Sequence, residues 1–166
     1  MDGTLNRPSK DEVFLEMAIV FSRRGTCMRT QQGVVLIDKK GFVVSLGYNG
    51  SPSGMRHCEW DAEKQRSKIF CEKHHQCMCL HAEMNAIINA ARHASLRDEL
   101  VMYSTGSPCC ECMKAIIQAG VKRVVYAEEY ADEFAKQLAS EAGIEMVHLP
   151  HPKTHEGRRS YHPSKA

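Results

Sequence analysis

The residues best able to do chemistry lie in two short stretches, with His81 and Glu83 in the first and Cys109 and Cys112 in the second. Zinc binds histidine nitrogen and cysteine sulfur in a tetrahedron, and a catalytic zinc keeps one position open for water. Because positions 109 and 112 lie about one helical turn apart, both sulfurs can face the same side of a helix. A helix N-terminus also favours the thiolate over the thiol. We therefore predict that His81, Cys109 and Cys112 bind a catalytic zinc ion.

Glu83 is the expected acid and base of this site. Two residues after His81 on a helix, it points away from the direction of that ligand, so we do not expect it to bind the metal. It can still reach the open coordination position, where a carboxylate takes a proton from water and passes it on. The alternative is a structural zinc site with an incidental glutamate. The order H-x-E and then P-C-x-x-C, which is the signature of zinc-dependent nucleobase deaminases, favours catalysis.

Length and composition limit the classes of protein that the chain can belong to. Its 166 residues suit one domain. The sequence contains no basic segment followed by an apolar run, so we expect neither export nor a membrane span. The chain has eight cysteines and nine histidines, which favours metal ligation over disulfides. We therefore expect a cytoplasmic location, which would be the host cytoplasm if the source is a virus. A net charge of +2 is too small to favour nucleic acid as a partner, although it tolerates a small phosphorylated substrate.

The pattern of apolar and turn residues predicts an α/β fold. Ser9 is a good N-cap for a first helix that extends to about Arg24, and the turn at 38–41 joins strands at 33–37 and 42–46 into a hairpin. Helices and strands then alternate, so the last three strands should be parallel neighbours. The later elements are predicted as helices at 82–94, 109–119 and 132–142 and strands at 100–104, 122–127 and 144–149.

One domain is predicted from residue 1 to residue 149, with a loose arm at 1–9. It contains a polar, irregular insertion at about 55–79 that is rich in cysteine and histidine. Residues 150–166 are predicted to form a poorly ordered tail or to lie on the surface.

Five motifs stand in a distinctive order along the chain: Gly47-Tyr48-Asn49-Gly50, His81-Ala82-Glu83-Met84-Asn85-Ala86-Ile87, Ser107-Pro108-Cys109-x-x-Cys112, Ala119-Gly120 and Val125-Tyr126-x-Glu128-Glu129-Tyr130. Together they resemble the motifs of deoxycytidylate (dCMP) deaminases, especially phage and bacterial members with an insertion before the catalytic histidine. The resemblance implies the three-layer αβα sandwich of the cytidine deaminase fold, with a mixed five-stranded sheet whose last strands are parallel. It also implies hydrolysis of dCMP to dUMP and ammonia for thymidylate synthesis, in a hexamer that dCTP activates and dTTP inhibits, with Mg²⁺ accompanying the nucleotide.

Four residues are expected to bind the substrate. In related deaminases an asparagine at the position of Asn49 hydrogen-bonds the sugar, and the alternative is a turn asparagine in the left-handed conformation. Ser107 belongs to the second zinc motif. Tyr126 could lie in the core or in the wall of the pocket, whereas Tyr130, just after a strand, is expected at the pocket.

Gly47, Tyr48 and Gly50 are expected to take part in allosteric regulation, because family members bind the effector triphosphate near this loop at a subunit interface. Glycines let the backbone approach a ligand and present N–H groups to phosphate oxygens. The alternative is a rigid substrate loop in an enzyme without regulation.

A second zinc site is implied because some family members hold a structural zinc. Cys27 and Cys58 stand at the positions of two of its ligands, and the insertion supplies the others. Cys71 and His75 are four residues apart and would share a helix face, while Cys77 is the main substitute. The alternative is a set of reduced, partly buried thiols.

Two other functions remain open from the sequence. A tRNA adenosine deaminase or a single-stranded DNA cytidine deaminase would share the zinc motifs, but the small net charge and the loop at 47–54 favour the nucleotide enzyme. A zinc-stabilised binding module without catalysis is opposed by the intact Glu83.

Overall fold

The structure, a computed structural model, has four helices and seven strands among the residues that it describes, which are 7–27, 29–58, 60–61, 66–67, 77–93 and 99–150. The helices are α1 (Lys10–Ser22), α2 (Ala82–His93), α3 (Cys110–Gln118) and α4 (Glu133–Glu141). The strands are β1 (Gly33–Ile37), β2 (Val43–Tyr48), β3 (Trp60–Asp61), β4 (Arg66–Ser67), β5 (Leu100–Gly106), β6 (Val121–Glu128) and β7 (Glu145–His148).

Five strands form one mixed sheet in the order β2-β1-β5-β6-β7. Strand β1 is antiparallel to β2 and to β5, whereas β5, β6 and β7 are parallel. The predicted parallel arrangement of the last three strands is confirmed, because α3 and α4 are the crossovers between them. The short strands β3 and β4 pair separately, within the insertion that was predicted to be irregular.

The helices cover the sheet on both faces. Leu15 and Ile19 of α1 pack with Val35 and Tyr103 on one face. The apolar sides of α2, α3 and α4 pack on the opposite face in the larger core, which includes Met113. The predicted three-layer αβα sandwich is therefore confirmed. In the part of the chain that the structure describes, no helix has the length and apolar character needed to cross a membrane.

Helix α1 begins at its predicted N-cap, and α3 and α4 are each followed by a glycine. The Ser9 hydroxyl accepts the Glu12 N–H at 3.2 Å, and the Glu12 carboxylate accepts the Ser9 N–H at 2.6 Å, so α1 has a capping box. Gly120 after α3 and Gly143 after α4 have φ of +80° and +67°, the left-handed conformation that favours glycine at helix ends. Residues 151–166, most of the predicted tail, lie outside the described residues.

The hairpin can lie close to its helices because two glycines carry no side chain. A Cβ on Gly47 would lie 2.1 Å from the carbonyl oxygen of Ala82 and 2.6 Å from the nitrogen of Ala86, and one on Gly33 would lie 2.1 Å from the carbonyl oxygen of Ala18. Since these neighbours are backbone atoms, neither could move away alone. Strand β2 is therefore in direct contact with the first turns of α2.

Candidate active site

The predicted metal ligands and Glu83 lie close together at the N-terminal ends of two helices. His81 directly precedes α2, and Glu83 lies in its first turn. Cys109 is the N-cap of α3, and Cys112 lies in the first turn of that helix. Since α3 follows β5, this is the carboxyl edge of the parallel strands, where ligands bind in open α/β sheets.

His81, Cys109 and Cys112 form a compact group of metal-ligating atoms. The Nδ1 atom of His81 lies 3.3 Å from the Cys112 sulfur and 3.5 Å from the Cys109 sulfur. All three ligand atoms lie within 4.8 Å of one another, and both cysteines are buried. Tetrahedral zinc with bonds of about 2.3 Å to sulfur and about 2.0 Å to nitrogen would separate the S and N atoms by roughly 3.5 Å. The donor set and its spacing therefore fit a zinc ion.

The two thiols of this group differ in acidity. Hydrogen bonds from Cys112 and from His81 lower the pKa of the Cys109 thiol to about 3. The pKa of Cys112 is raised, mainly by its hydrogen bond to Cys109 and then by burial. One thiolate, the form that binds metals, is therefore already stabilised by its neighbours.

Glu83 is a buried carboxylic acid in contact with the same group. It is 7% exposed, and its side chain forms a hydrogen bond with Cys112. Burial raises the pKa of Glu83, and the charge of Cys109 raises it further. A carboxyl group with a raised pKa exchanges protons more readily near neutral pH, as a general acid and base requires.

A cavity of about 480 Å³ opens beside these residues, a volume within the usual range for small-molecule sites. His81, Glu83 and Cys109 form part of its wall. Of the four predicted substrate-binding residues, Asn49, Ser107 and Tyr130 line this cavity. Tyr126 lines a neighbouring cavity of about 350 Å³ instead.

Arg29 also lines the main cavity, and sequence reasoning missed it. Among the lining residues that the structure describes, it is the only arginine or lysine. Its position in an irregular segment between α1 and β1 gave no periodic signal. The available signal is its place two residues after Cys27, a predicted metal ligand.

Asn49 holds the segment that carries Arg29. Its Oδ1 accepts the Gln32 N–H at 2.8 Å, and its Nδ2 donates to the Thr30 carbonyl oxygen at 2.7 Å. Asn49 does not have positive φ, so the alternative of a left-handed turn asparagine is wrong. In the described part of the chain the second amide N–H makes no hydrogen bond, and Asn49 lines the cavity.

Ser107 and Tyr130 join the loops after β5 and β6. The Ser107 hydroxyl donates to the Tyr130 carbonyl oxygen at 3.2 Å and accepts the Tyr130 N–H at 2.7 Å. Tyr130 is 49% exposed and lines both cavities. Tyr126 is buried in the core and stacks on His148 with ring centroids 5.1 Å apart. Contacts of these residues with substrate remain predictions.

The residues predicted to be allosteric connect the loop at 47–54 to His81. Gly50 donates its N–H to the Leu80 carbonyl oxygen at 3.1 Å and accepts the Leu80 N–H at 2.9 Å. The Tyr48 carbonyl oxygen accepts a hydrogen bond from Asn85 at 2.8 Å. Gly47 allows α2 to approach the sheet, as described above. These contacts explain the three residues structurally, and effector binding remains a prediction.

A second group of thiols lies beside the first. The sulfurs of Cys27, Cys77 and Cys79 lie within 4.8 Å of one another, and Cys58 is buried in the same cluster. Cys79 was not among the predicted ligands, although the Cys77-Met78-Cys79 spacing was available as a signal. The other two predicted ligands, Cys71 and His75, lie outside the described residues.

The sandwich fold, the His/Cys/Cys group and the buried glutamate beside it are together the features of a zinc-dependent deaminase domain. Residues 8–128 match the model of the cytidine and deoxycytidylate deaminase zinc-binding region. The chain therefore belongs to the cytidine and deoxycytidylate deaminase family.

Individual relatives agree with this assignment. The chain is 36% identical over 143 residues to the deoxycytidylate deaminase of Schizosaccharomyces pombe, covering 84% of this chain but only 44% of that enzyme. It is 31% identical over 175 residues to the deoxycytidylate deaminase of Enterobacteria phage T2, covering 85% of this chain and 93% of that enzyme. The crystal structure of the dCMP deaminase from cyanophage S-TIM5 in complex with dCMP and dUMP superposes with a TM-score of 0.71 at 30% identity, covering 87% of this chain and 100% of that one.

We expect two zinc ions per chain, one in each cluster. Cys112→Ser should remove the first and Cys79→Ser the second, because each loses a thiolate ligand. Cys110→Ser is the matched control, since Cys110 lies next to Cys109 but outside the group of ligand atoms. Elemental analysis of the purified variants measures the metal content. Unchanged zinc in Cys112→Ser would contradict the first site, and one zinc per wild-type chain would contradict the second.

Proposed function

We propose that this protein catalyses the hydrolytic deamination of dCMP to dUMP and ammonia, supplying thymidylate synthesis. The observation that carries the proposal is the contact of buried Glu83 with the His81, Cys109 and Cys112 group at the wall of a cavity that also contains Arg29. The relatives named deoxycytidylate deaminases and the cyanophage structure solved with dCMP and dUMP support the choice of substrate.

The proposed role of Glu83 is to move protons. A zinc ion held by His81, Cys109 and Cys112 would supply a water that is acidic enough to react near neutral pH. Glu83 accepts a proton as the water oxygen bonds to C4 of cytosine, and it donates that proton to N3. A second proton then passes through Glu83 to the amino group at C4. The C–N bond breaks, ammonia leaves, and a carbonyl group remains at C4.

The rest of the cavity suits a nucleotide. We infer that the second amide N–H of Asn49 donates to the sugar and that the half-exposed Tyr130, which lines the cavity, offers its ring to the base. Glu129 also lines the cavity, but Lys136 pairs with its carboxylate at 2.7 Å. Among the residues that the structure describes, Arg29 is then the cation that a 5′-phosphate would meet. A single cation suits one phosphate better than the backbone of tRNA or single-stranded DNA, which is the alternative class of substrate.

Regulation is proposed from the family resemblance. The protein would be a hexamer that dCTP with Mg²⁺ activates and dTTP inhibits, with effectors at the loop containing Gly47, Tyr48 and Gly50. The pair of hydrogen bonds between Gly50 and Leu80 supports coupling between this loop and the metal-ligating group. A rearrangement of the loop would displace Leu80, which directly precedes His81. Coupling requires that dCTP bind the active arrangement more tightly than the inactive one.

A structural zinc is proposed at the second thiol group. Cys27, Cys77 and Cys79 would supply three ligands, and the fourth would come from Cys58, Cys71 or His75, since structural sites are closed by four protein ligands. The described cysteines are free thiols, which persist in the reducing cytosol, so we propose a cytoplasmic location.

Glu83→Gln should keep the fold and the zinc but lower kcat about 10²–10⁴-fold, because the amide has the same shape and cannot carry the proton. The matched control is Glu111→Gln, an exposed carboxylate in the first turn of α3, which should keep wild-type turnover. Steady-state rates with dCMP and zinc content are measured on the same samples. Turnover of Glu83→Gln near the wild-type rate would refute the role of Glu83.

Arg29→Ala should lower kcat/KM for dCMP about 10–100-fold, because it removes a charge-assisted hydrogen bond worth about 1.5–3 kcal/mol. It should not change the rate with deoxycytidine, which has no phosphate. Arg24→Ala is the control, since Arg24 is exposed in the same segment and does not line the cavity. The proposal of substrate fails if the wild-type protein deaminates tRNA or single-stranded DNA and leaves dCMP unchanged.

If the proposed regulation exists, the dependence of rate on dCMP should be sigmoidal and become hyperbolic with dCTP and Mg²⁺, while dTTP opposes this change. Gly50→Val should weaken the response more than it lowers zinc content, because even the first added carbon would lie 2.7 Å from the Thr26 hydroxyl. Initial rates over a range of dCMP and effector concentrations test this. Hyperbolic kinetics that neither triphosphate alters would show that the chain is not regulated in this way.

A further inference from the structure

We propose that Asp132 is a positioning residue, whose carboxylate is shared between two helices and holds the first turn of α3 where Cys109 and Cys112 can bind the metal. The inference rests on the proposed function only in taking these cysteines as zinc ligands. Asp132 lies outside both sequence motifs, on the segment that leads into α4.

The N-terminus of α3 lacks a cap from its own N-cap residue. Helices leave their first N–H groups without partners inside the helix, and a serine, threonine, aspartate or asparagine at the N-cap usually accepts from one of them. At α3 this position is Cys109, whose side chain makes no such hydrogen bond. Its sulfur lies 3.5 Å from His81 Nδ1 instead. The Cys109 sulfur therefore faces the metal-ligating group, and the Cys110 N–H takes its acceptor from another element.

Asp132 supplies the missing acceptor from the neighbouring helix. Its Oδ2 accepts the Cys110 N–H at 2.8 Å, and its Oδ1 accepts the Ala135 N–H at 2.9 Å. One carboxylate thus caps α4, as the N-cap of that helix, and also caps α3. The backbone N–H of Ala135 lowers the pKa of Asp132 most, and the N–H of Cys110 lowers it further. Asp132 therefore remains an anion.

The bond to Cys110 acts directly on the metal-ligating residue. The Cys110 N–H belongs to the peptide plane that it shares with Cys109, so the bond from Asp132 restrains the backbone of Cys109, whose ψ is 168°. Asp132 is itself held by its N–H, which donates to the Tyr130 carbonyl oxygen at 2.9 Å. The loop after β6 therefore orients the first turn of α3, and with it the two sulfurs.

The test compares Asp132→Ser and Asp132→Asn with Ser9→Ala. Serine and asparagine are both good N-caps, so both variants can keep the cap of α4. Serine has one oxygen on a short side chain and cannot also reach Cys110, while the carboxamide has only one acceptor oxygen for two N–H groups. Ser9→Ala removes the cap of α1, where the capping hydrogen bonds link Ser9 with Glu12, far from the metal-ligating group, and it controls for a general loss of stability.

Each variant is dialysed against buffers in which a chelator sets the free zinc concentration, and the zinc bound per chain is measured by elemental analysis. The zinc ion that Cys112→Ser loses is the one bound by His81, Cys109 and Cys112, and its affinity is the quantity compared. Asp132→Ser and Asp132→Asn should bind this zinc about 10-fold more weakly, in the range found when residues that orient metal ligands are removed. Their kcat at limiting zinc should fall in parallel, while KM for dCMP stays unchanged. Ser9→Ala should lower the thermal unfolding temperature and leave zinc affinity unchanged.

Wild-type zinc affinity in both Asp132 variants, together with a lower unfolding temperature, would overturn the proposal and leave Asp132 as a helix cap only. The asparagine variant, which nearly preserves the shape of the side chain, provides the measurement if the serine variant does not fold. Weaker zinc binding in these variants without dCMP turnover in the wild-type protein would support the role of Asp132 and refute the proposed substrate.

Discussion

The site depends on two helix N-termini being brought to the same edge of one sheet. Helix α2 reaches that edge because Gly47 lets its first turns touch β2, and α3 reaches it because it follows the parallel strand β5. His81 comes from the first of these ends and both cysteines from the second, so neither helix carries the metal-ligating group alone. A shift of either helix would separate the histidine nitrogen from the sulfurs.

Burial makes this arrangement costly and also makes it chemically useful. Glu83 and Cys109 are buried acidic groups, and the charge of Cys109 favours the neutral form of Glu83. At Cys109, hydrogen bonds from Cys112 and His81 stabilise the thiolate and outweigh the cost of burying its charge. A divalent cation among these atoms would remove the remaining repulsion, because it is the largest charge in such a site. The same environment that disfavours the ionised Glu83 suits that residue to receive and return protons.

Much of the fold and the core of the site could be predicted from local signals. The N-cap at Ser9 and the alternation of helices and strands predicted the start of the first helix and the parallel strands that the structure shows. The separate location of Tyr126 could not be predicted, because a strand residue faces one of two sides and the sequence pattern at this position fits either. The pair of strands β3 and β4 in the insertion was missed, since strands of two residues carry no periodicity.

By itself the sequence determined which chemistry is available, because the ligand types and the spacing of Cys109 and Cys112 are local properties of the chain. It also determined the family through the order of its motifs. Only the tertiary structure decided which residues share the cavity: Arg29 enters it from the segment between α1 and β1, and Cys79 joins Cys27 from the other side of the insertion. It also showed that Asp132 caps a helix other than its own. Such contacts join residues far apart in the chain, and no local pattern specifies them, since they arise from the packing of whole elements.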